Sequence, residues 1–244
     1  MKPGTLYLIP ATLGDLKSGD PSALIAPSLP AAVLNRIREI RVFAVENAKS
    51  ARALLKVTGS ALHLRELEIG EIGHSPDSAT LQPFVDHLIQ GRDVGLLAEA
   101  GCPGIADPGA QLARIAHGAG IRVAPLVGPS SILLALMASG LDGQHFAFAG
   151  YLPIKPPARD AMIVSLEVRS RKLSETQILI ETPYRNAQLF AALIAGLNPA
   201  TRVAVAVDLT LPDELVAMKT VAEWRRVPAP ALARRPAVFL FLAG

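Results

Sequence analysis

Short apolar, β-branched runs recur along the chain, each closed by a glycine, a proline or an acidic residue. They alternate with stretches whose apolar positions repeat at helical spacing. Strands are predicted in the first half at Thr5 to Ile9, Val42 to Val45, Val94 to Ala98 and Arg122 to Leu126. Helices fall between them at Pro30 to Arg38, Ala48 to Thr58, Leu81 to Gln90 and Ala110 to Ala119. The second half predicts strands at Phe146 to Ala149, Gln177 to Glu181, Arg202 to Leu209 and Ala237 to Leu242. Its predicted helices are Ser131 to Ser139, Arg159 to Arg171, Arg185 to Ala195 and Thr220 to Arg225. This order argues for an α/β protein whose sheets are buried under helices on both faces. Glycines bracket the strand-like segment Gly118 to Gly128, which marks a crossing between two lobes, 1–127 and 128–244. Pro153 to Arg159, with three prolines, is expected to be an exposed connection or lid.

Composition narrows the class. Half of the 244 residues are apolar and 18% are charged, which excludes a disordered chain. A chain of this size buries roughly 70% of its unfolded surface, enough for a sizeable core. The single cysteine, Cys102, permits no intrachain disulfide and no cysteine-based metal cluster, which fits a cytoplasmic protein. The opening MKPGTLYLIPATLGD is interrupted by Pro10 and reads as mature sequence, and no apolar run approaches bilayer-spanning length. The formal charge of +3 is compatible with a nucleic-acid partner without requiring one. Basic residues cluster at Arg36, Arg38 and Arg41, at Arg169, Arg171 and Lys172, and at Arg225, Arg226, Arg234 and Arg235. Such clusters are either solvated faces or, if brought to one surface, a phosphate-binding patch.

The most informative stretch is GLLAEAGCPGIADPG, Gly95 to Gly109: a strand entering a loop rich in glycine and proline. Glycines allow positive φ and close approach of a ligand to the main chain, and prolines stiffen the loop. The loop is either a ligand site at the end of a strand or a tight turn whose aspartate caps the following helix. It has no Lys or Arg, and neither G-x-G-x-x-G nor G-x-x-x-x-G-K-[ST] occurs, so a phosphate is a poor fit. A cationic ligand such as the sulfonium of S-adenosylmethionine is easier to place beside Glu99 and Asp107. GPSS, Gly128 to Ser131, precedes the apolar helix ILLALMASG, where Ser130 either caps the helix or also meets a ligand. The five histidines show no zinc spacing and no nucleophile elbow is present, so a metal site is not expected; Cys102 reads as a packing residue.

These blocks resemble the tetrapyrrole methylase superfamily of S-adenosylmethionine-dependent methyltransferases, in its branch of small-subunit ribosomal RNA cytidine 2′-O-ribose methyltransferases. The resemblance rests on GTLYLIPATLGD (4–15), EAGCPGIADPG (99–109), PLVGPSSILLAL (125–136) and ETPYR (181–185), with weaker support from FAGYLP (148–153) and LTLPDE (209–214). It implies a two-lobed α/β fold of the class III methyltransferases, with mixed sheets flanked by helices. A homodimer is implied as well, with S-adenosylmethionine held in a cleft between the lobes. Carried over by position, the donor would meet Pro10, Ala100, Gly101, Cys102, Ile105, Ser130, Ser131, Glu181 and Leu209, while Asp107 braces the glycine loop. The chain differs from that branch in four places: Glu46-Asn47-Ala48-Lys49 stands where the branch has E-D-T-R, Glu181-Thr182-Pro183-Tyr184-Arg185 where it has E-S-P-H-R, Glu99 where it has an aspartate, and only Lys155 and Arg159 where a strongly basic segment follows the Leu152-Pro153 turn.

Methyl transfer from a sulfonium is an in-line displacement, for which orientation alone supplies on the order of 7–11 kcal/mol. A ribose hydroxyl must also lose its proton. Glu46 and Asp15, both following strands, are candidates for that base, or else turn and cap carboxylates. Arg185 either grips a phosphate or acidic substrate group or serves the helix start. The first expected acceptor is ribosomal RNA or the small ribosomal subunit. The alternatives are a small molecule such as a tetrapyrrole, and a non-catalytic donor-binding module.

Overall fold

The computed structural model describes residues 2–14, 25, 27–59 and 64–244. The chain divides into two compact units, Met1–Ser130 and Ser131–Gly244. The division falls a little beyond Val127 because the Gly128 backbone packs into the first unit: a Cβ there would lie 2.2 Å from Pro10 Cγ and 3.4 Å from Leu29 Cδ2.

The first unit runs β1 (Thr5–Ile9), α1 (Ala31–Glu39), β2 (Val42–Val45), α2 (Ala48–Val57), β3 (Glu68–Glu71), α3 (Ser78–Ile89), β4 (Val94–Leu97), α4 (Ala110–Gly118) and β5 (Arg122–Pro125). Its strands lie in the order β3-β2-β4-β1-β5 and every pairing is parallel. A parallel sheet needs helices on both faces, which is why VFAV of β2 and VGLL of β4 are apolar throughout and wholly buried. Phe43, Val45, Ile9 and Leu97 pack with Ile37, Leu54 and Leu55 on one face. Val42, Ala44, Leu6 and Leu96 pack with Leu81, Leu88 and Leu112 on the other.

The second unit runs α5 (Ser131–Ser139), β6 (Phe146–Gly150), α6 (Pro156–Leu173), β7 (Thr176–Ile180), α7 (Asn186–Gly196), β8 (Arg202–Val207), β9 (Leu215–Thr220), α8 (Val221–Trp224) and β10 (Ala237–Leu242). Its sheet, β6-β7-β10-β8-β9, is mixed: β6 and β7 are parallel and the other pairings antiparallel. Phe239, Phe241, Val203 and Val205 form its core with Ile163, Leu189 and Leu193. Trp224 meets Phe190 edge to face at 5.3 Å between centroids, and its Nε1 donates to Val203 O at 2.9 Å.

Two strands lie outside the sequence-based expectation. β3 reads EIGE, with charges at both ends and a central glycine, and becomes a strand only by pairing with β2. β9 is an edge strand, partly exposed along its length, that pairs with β8. The Pro153 to Arg159 connection is shorter than expected. Pro156 and Pro157 open α6, where the missing N–H groups need no intrahelical partner.

Phe43, on β2 of the parallel sheet, is fully buried. Phe43→Ala should cost the first unit about 3–5 kcal/mol, read as a lower midpoint in urea denaturation.

Candidate functional site

β1 and β4 are adjacent, yet the chain leaves β1 towards β2 and leaves β4 towards β5, on opposite sides of the pair. That divergence opens a crevice at the carboxyl ends of the two strands, where open α/β sheets receive ligands. The crevice is tied by main chain, since Ala11 N donates to Gly101 O at 2.9 Å. Gly101 and Gly104 have φ of +66° and +80°, and the non-glycine Ala106 also has a positive φ, +53°. A Cβ on Gly101 would lie 3.3 Å from Leu13 Cδ2 and 3.5 Å from Pro129 O. Asp107 is not the cap of α4. Gly109 holds that position, and Asp107 Oδ1 instead accepts from the N–H groups of Gly104 (3.0 Å) and Gly109 (2.7 Å), which locks the loop. Cys102 Sγ donates to Pro129 O at 3.5 Å, and burial pushes its thiol pKa up, so it stays a neutral packing group.

Beside this loop lies a cavity of about 400 Å³, lined by residues 11–14, by Asn47, Lys49, Ser50 and Leu54 of the α2 start, and by residues 98–100. Asn47 caps α2, its Oδ1 accepting from the N–H groups of Lys49 (2.9 Å) and Ser50 (3.1 Å). Among the described residues the Lys49 side chain has no hydrogen-bonding or ionic partner, and it lies exposed at the cavity wall.

Glu46 follows β2 with its side chain only 15% exposed and pairs with Nδ1 of His74. Burial raises its pKa above the ordinary carboxylate value, as do the negative charges of Glu99 and Asp107, while His74 opposes the rise. The end of the sheet therefore carries concentrated negative charge. His74 was missed in the sequence because it follows β3, itself unread. The only local signal is the adjacent Gly73, whose φ is +65°.

In the second unit, Glu181 Oε1 accepts from Thr182 N and from Arg185 Nη2, both at 2.6 Å. Two residues expected to face different ligands thus form one ion pair, and Arg185 Nε is buried without a partner among the described residues. Leu209 is buried between Asp208 and Thr210, non-glycine residues with φ of +48° and +71°. Such strained turns persist only when surroundings hold them, and Arg235 does so, its Nε donating to Asp208 Oδ2 at 2.6 Å and its Nη2 to Asp213 O at 2.7 Å. Arg169 and Arg225 likewise donate to Glu175 and to the Ile194 carbonyl. Much of the clustered basic charge therefore serves internal structure.

Of the sequence candidates, Pro10, Gly101 and Cys102 converge on the first unit's crevice, with Ala100 and Ile105 exposed on the same loop. Ser130 ends that unit and Ser131 begins α5. Asp15 lies outside the described residues. Among the described residues no group of three His, Cys, Asp or Glu side chains could hold a metal, and no helix is long and apolar enough to cross a membrane.

The profile of the Tetrapyrrole (Corrin/Porphyrin) Methylases matches residues 27–224, and the chain belongs to that family of methyltransferases. It is 32% identical over 220 residues to the Ribosomal RNA small subunit methyltransferase I of Xylella fastidiosa, covering 90% of this chain and 74% of that protein. It is 29% identical over 218 residues to the protein of the same name from Vibrio cholerae, covering 89% of this chain and 69% of that protein. In fold it matches the uroporphyrin-III C-methyltransferase of Thermus thermophilus, solved in complex with S-adenosylhomocysteine, at 19% identity and a TM-score of 0.54, covering 98% of this chain and 97% of that one.

Asp107→Ala removes the acceptor of two loop N–H groups and should cost about 1–3 kcal/mol in denaturant unfolding. Asp107→Asn, which keeps an acceptor oxygen there, should recover most of that loss.

Proposed function

We propose that the protein transfers a methyl group from S-adenosylmethionine to a ribose 2′-hydroxyl of small-subunit ribosomal RNA. The observation that carries the acceptor class is the similarity, over nine-tenths of the chain, to relatives named as small-subunit ribosomal RNA methyltransferases. A cytoplasmic homodimer is part of the same reading.

The chemistry of the first unit fits such a donor. Glu46, Glu99 and Asp107 set a negative potential beside a glycine loop without Lys or Arg, which suits a sulfonium and repels a phosphate. The donor supplies an activated methyl carbon and a thioether leaving group. Pro10, Ala100, Gly101, Cys102, Ile105 and Ser130 are assigned to donor contact in this proposal, together with Ser131, Glu181 and Leu209. Main chain around Gly101 orients the donor, a shape that a side chain at that residue would close. Lys49, exposed at the cavity wall and without an ionic partner among the described residues, is assigned a backbone phosphate of the RNA. Arg185 is a weaker candidate for that contact, because its guanidinium is already paired with Glu181. Glu46 accepts the hydroxyl proton as the ribose oxygen attacks.

The sign of the pH dependence follows from the raised pKa of Glu46. The base works only when ionised, so transfer is lost as pH falls through that pKa, and the loss begins at higher pH than an ordinary glutamate would give.

Purified protein incubated with unmethylated small ribosomal subunits and labelled S-adenosylmethionine should yield a 2′-O-methylnucleotide by mass mapping. Unchanged RNA, with label entering a tetrapyrrole instead, would overturn the acceptor. Glu46→Gln should lower kcat by about 10²–10⁴-fold, measured at saturating donor because the variant also removes one of the charges that favour the sulfonium. Gly101→Val should abolish donor binding in calorimetry, because its φ of +66° and close neighbours exclude a branched side chain.

A further inference from the structure

We propose that His74 is a positioning residue for methyl transfer, holding the Glu46 carboxylate in place and balancing its charge while that carboxylate accepts the acceptor's proton. The proposal rests on the role given to Glu46 above.

The two residues are brought together by the fold alone. β3 pairs with β2 in parallel register, Val45 opposite Glu71, and Ile72 N continues the ladder by donating to Val45 O at 2.8 Å. Gly73 then turns the chain with a φ of +65°, in open space where nothing lies within 4 Å of a built Cβ. That turn returns His74 over the end of β2, where its Nδ1 meets Glu46 Oε1. A carboxylate oxygen only accepts, so Nδ1 carries the hydrogen and donates it. Among the described residues Glu46 Oε2 has no hydrogen-bond partner, which leaves it to receive a proton.

The remaining charges around Glu46 explain why a histidine is needed there. From the loop after β4 come Glu99 and Asp107, both of which disfavour a second negative charge. Glu71, at the end of β3, is another carboxylate and supplies no positive charge; its Oε1 accepts from Ala48 N at 2.7 Å. Lys49 lies in the first turn of α2 with its side chain exposed at the cavity. Among the described residues His74 is the group that favours the ionised form of Glu46, and its 85% exposed ring also links the carboxylate to bulk water. In the transfer the ribose O–H bond breaks and its proton goes to Glu46 while the O–CH3 bond forms. The C–S bond breaks, its electron pair staying on sulfur as the thioether product, and the proton then leaves to water past the exposed imidazole.

The test uses the full chain. The carboxyl of Glu46 is titrated by carbon-13 NMR in the wild type, His74→Ala and His74→Gln, and kcat and KM for small ribosomal subunits are followed against pH. His74→Ala should raise the Glu46 midpoint, move the acid limb of the rate profile upward with it, and lower kcat on the order of tenfold with KM and donor affinity unchanged. His74→Gln keeps a hydrogen-bond donor without a charge, and should recover part of kcat while leaving the acid limb displaced. An unmoved Glu46 midpoint in His74→Ala would overturn the proposal, as would a moved midpoint with an unmoved rate profile. A wild-type protein inert towards the ribosomal subunit, with the midpoint still moved by His74→Ala, would overturn the ribosomal acceptor and support the pairing.

Discussion

The main-chain bond from Ala11 N to Gly101 O is the constraint on which the first unit's site depends. It is an isolated antiparallel bridge just beyond the parallel pairing of β1 and β4, at the place where the two connections part. Without it, the segment after β1 and the glycine loop after β4 would be two independent surface loops. With it, they form one surface, further fastened by Gly128 against Pro10 and by Cys102 against the Pro129 carbonyl. Asp107 then closes the loop on itself through Gly104 N and Gly109 N, on either side of the positive φ at Ala106. A surface of this kind is preorganised main chain, and it loses little ordering entropy on binding.

Charge distribution follows from the same geometry. The carboxyl ends of β2 and β4 lie side by side, so the first acidic residues beyond them, the largely buried Glu46 and the exposed Glu99, lie close enough to repel one another, as does Asp107. Mutual repulsion and burial make Glu46 more basic than an isolated glutamate, which is the property a hydroxyl's proton acceptor needs. A neutral thiol at Cys102 adds nothing to that charge. In the second unit the arginines near the family's motifs are spent on structure: Arg185 on Glu181 and Arg235 on the strained turn around Asp208. Among the described residues Lys49 has no ionic partner, which is why it, rather than these arginines, is assigned in the proposal to the RNA backbone.

Much of the architecture was legible because parallel strands buried on both faces must be apolar at every position, as in VFAV and VGLL, and because glycine and proline punctuate their ends. The glycine loop was legible for a related reason: few sequences other than one built for close approach combine so many glycines and prolines beyond a buried strand. β3 was not legible. Its sequence, EIGE, has neither alternation nor propensity, and its strand character comes from the edge that β2 offers it. The role of Asp107 was open, since a loop brace and a helix cap demand the same residue type at nearly the same position.

The chain by itself therefore determined the α/β class, most strand and helix positions, and the glycine- and proline-rich loop beyond β4, because burial and backbone conformation restrict residue type locally. Only the tertiary structure decided which charges meet. Glu46 finds His74, Glu99 and Asp107, and Arg185 finds Glu181, through strand order, turn direction and helix placement. Electrostatic partners are chosen by distance in space, and a charged residue carries no local mark of the neighbour it will have.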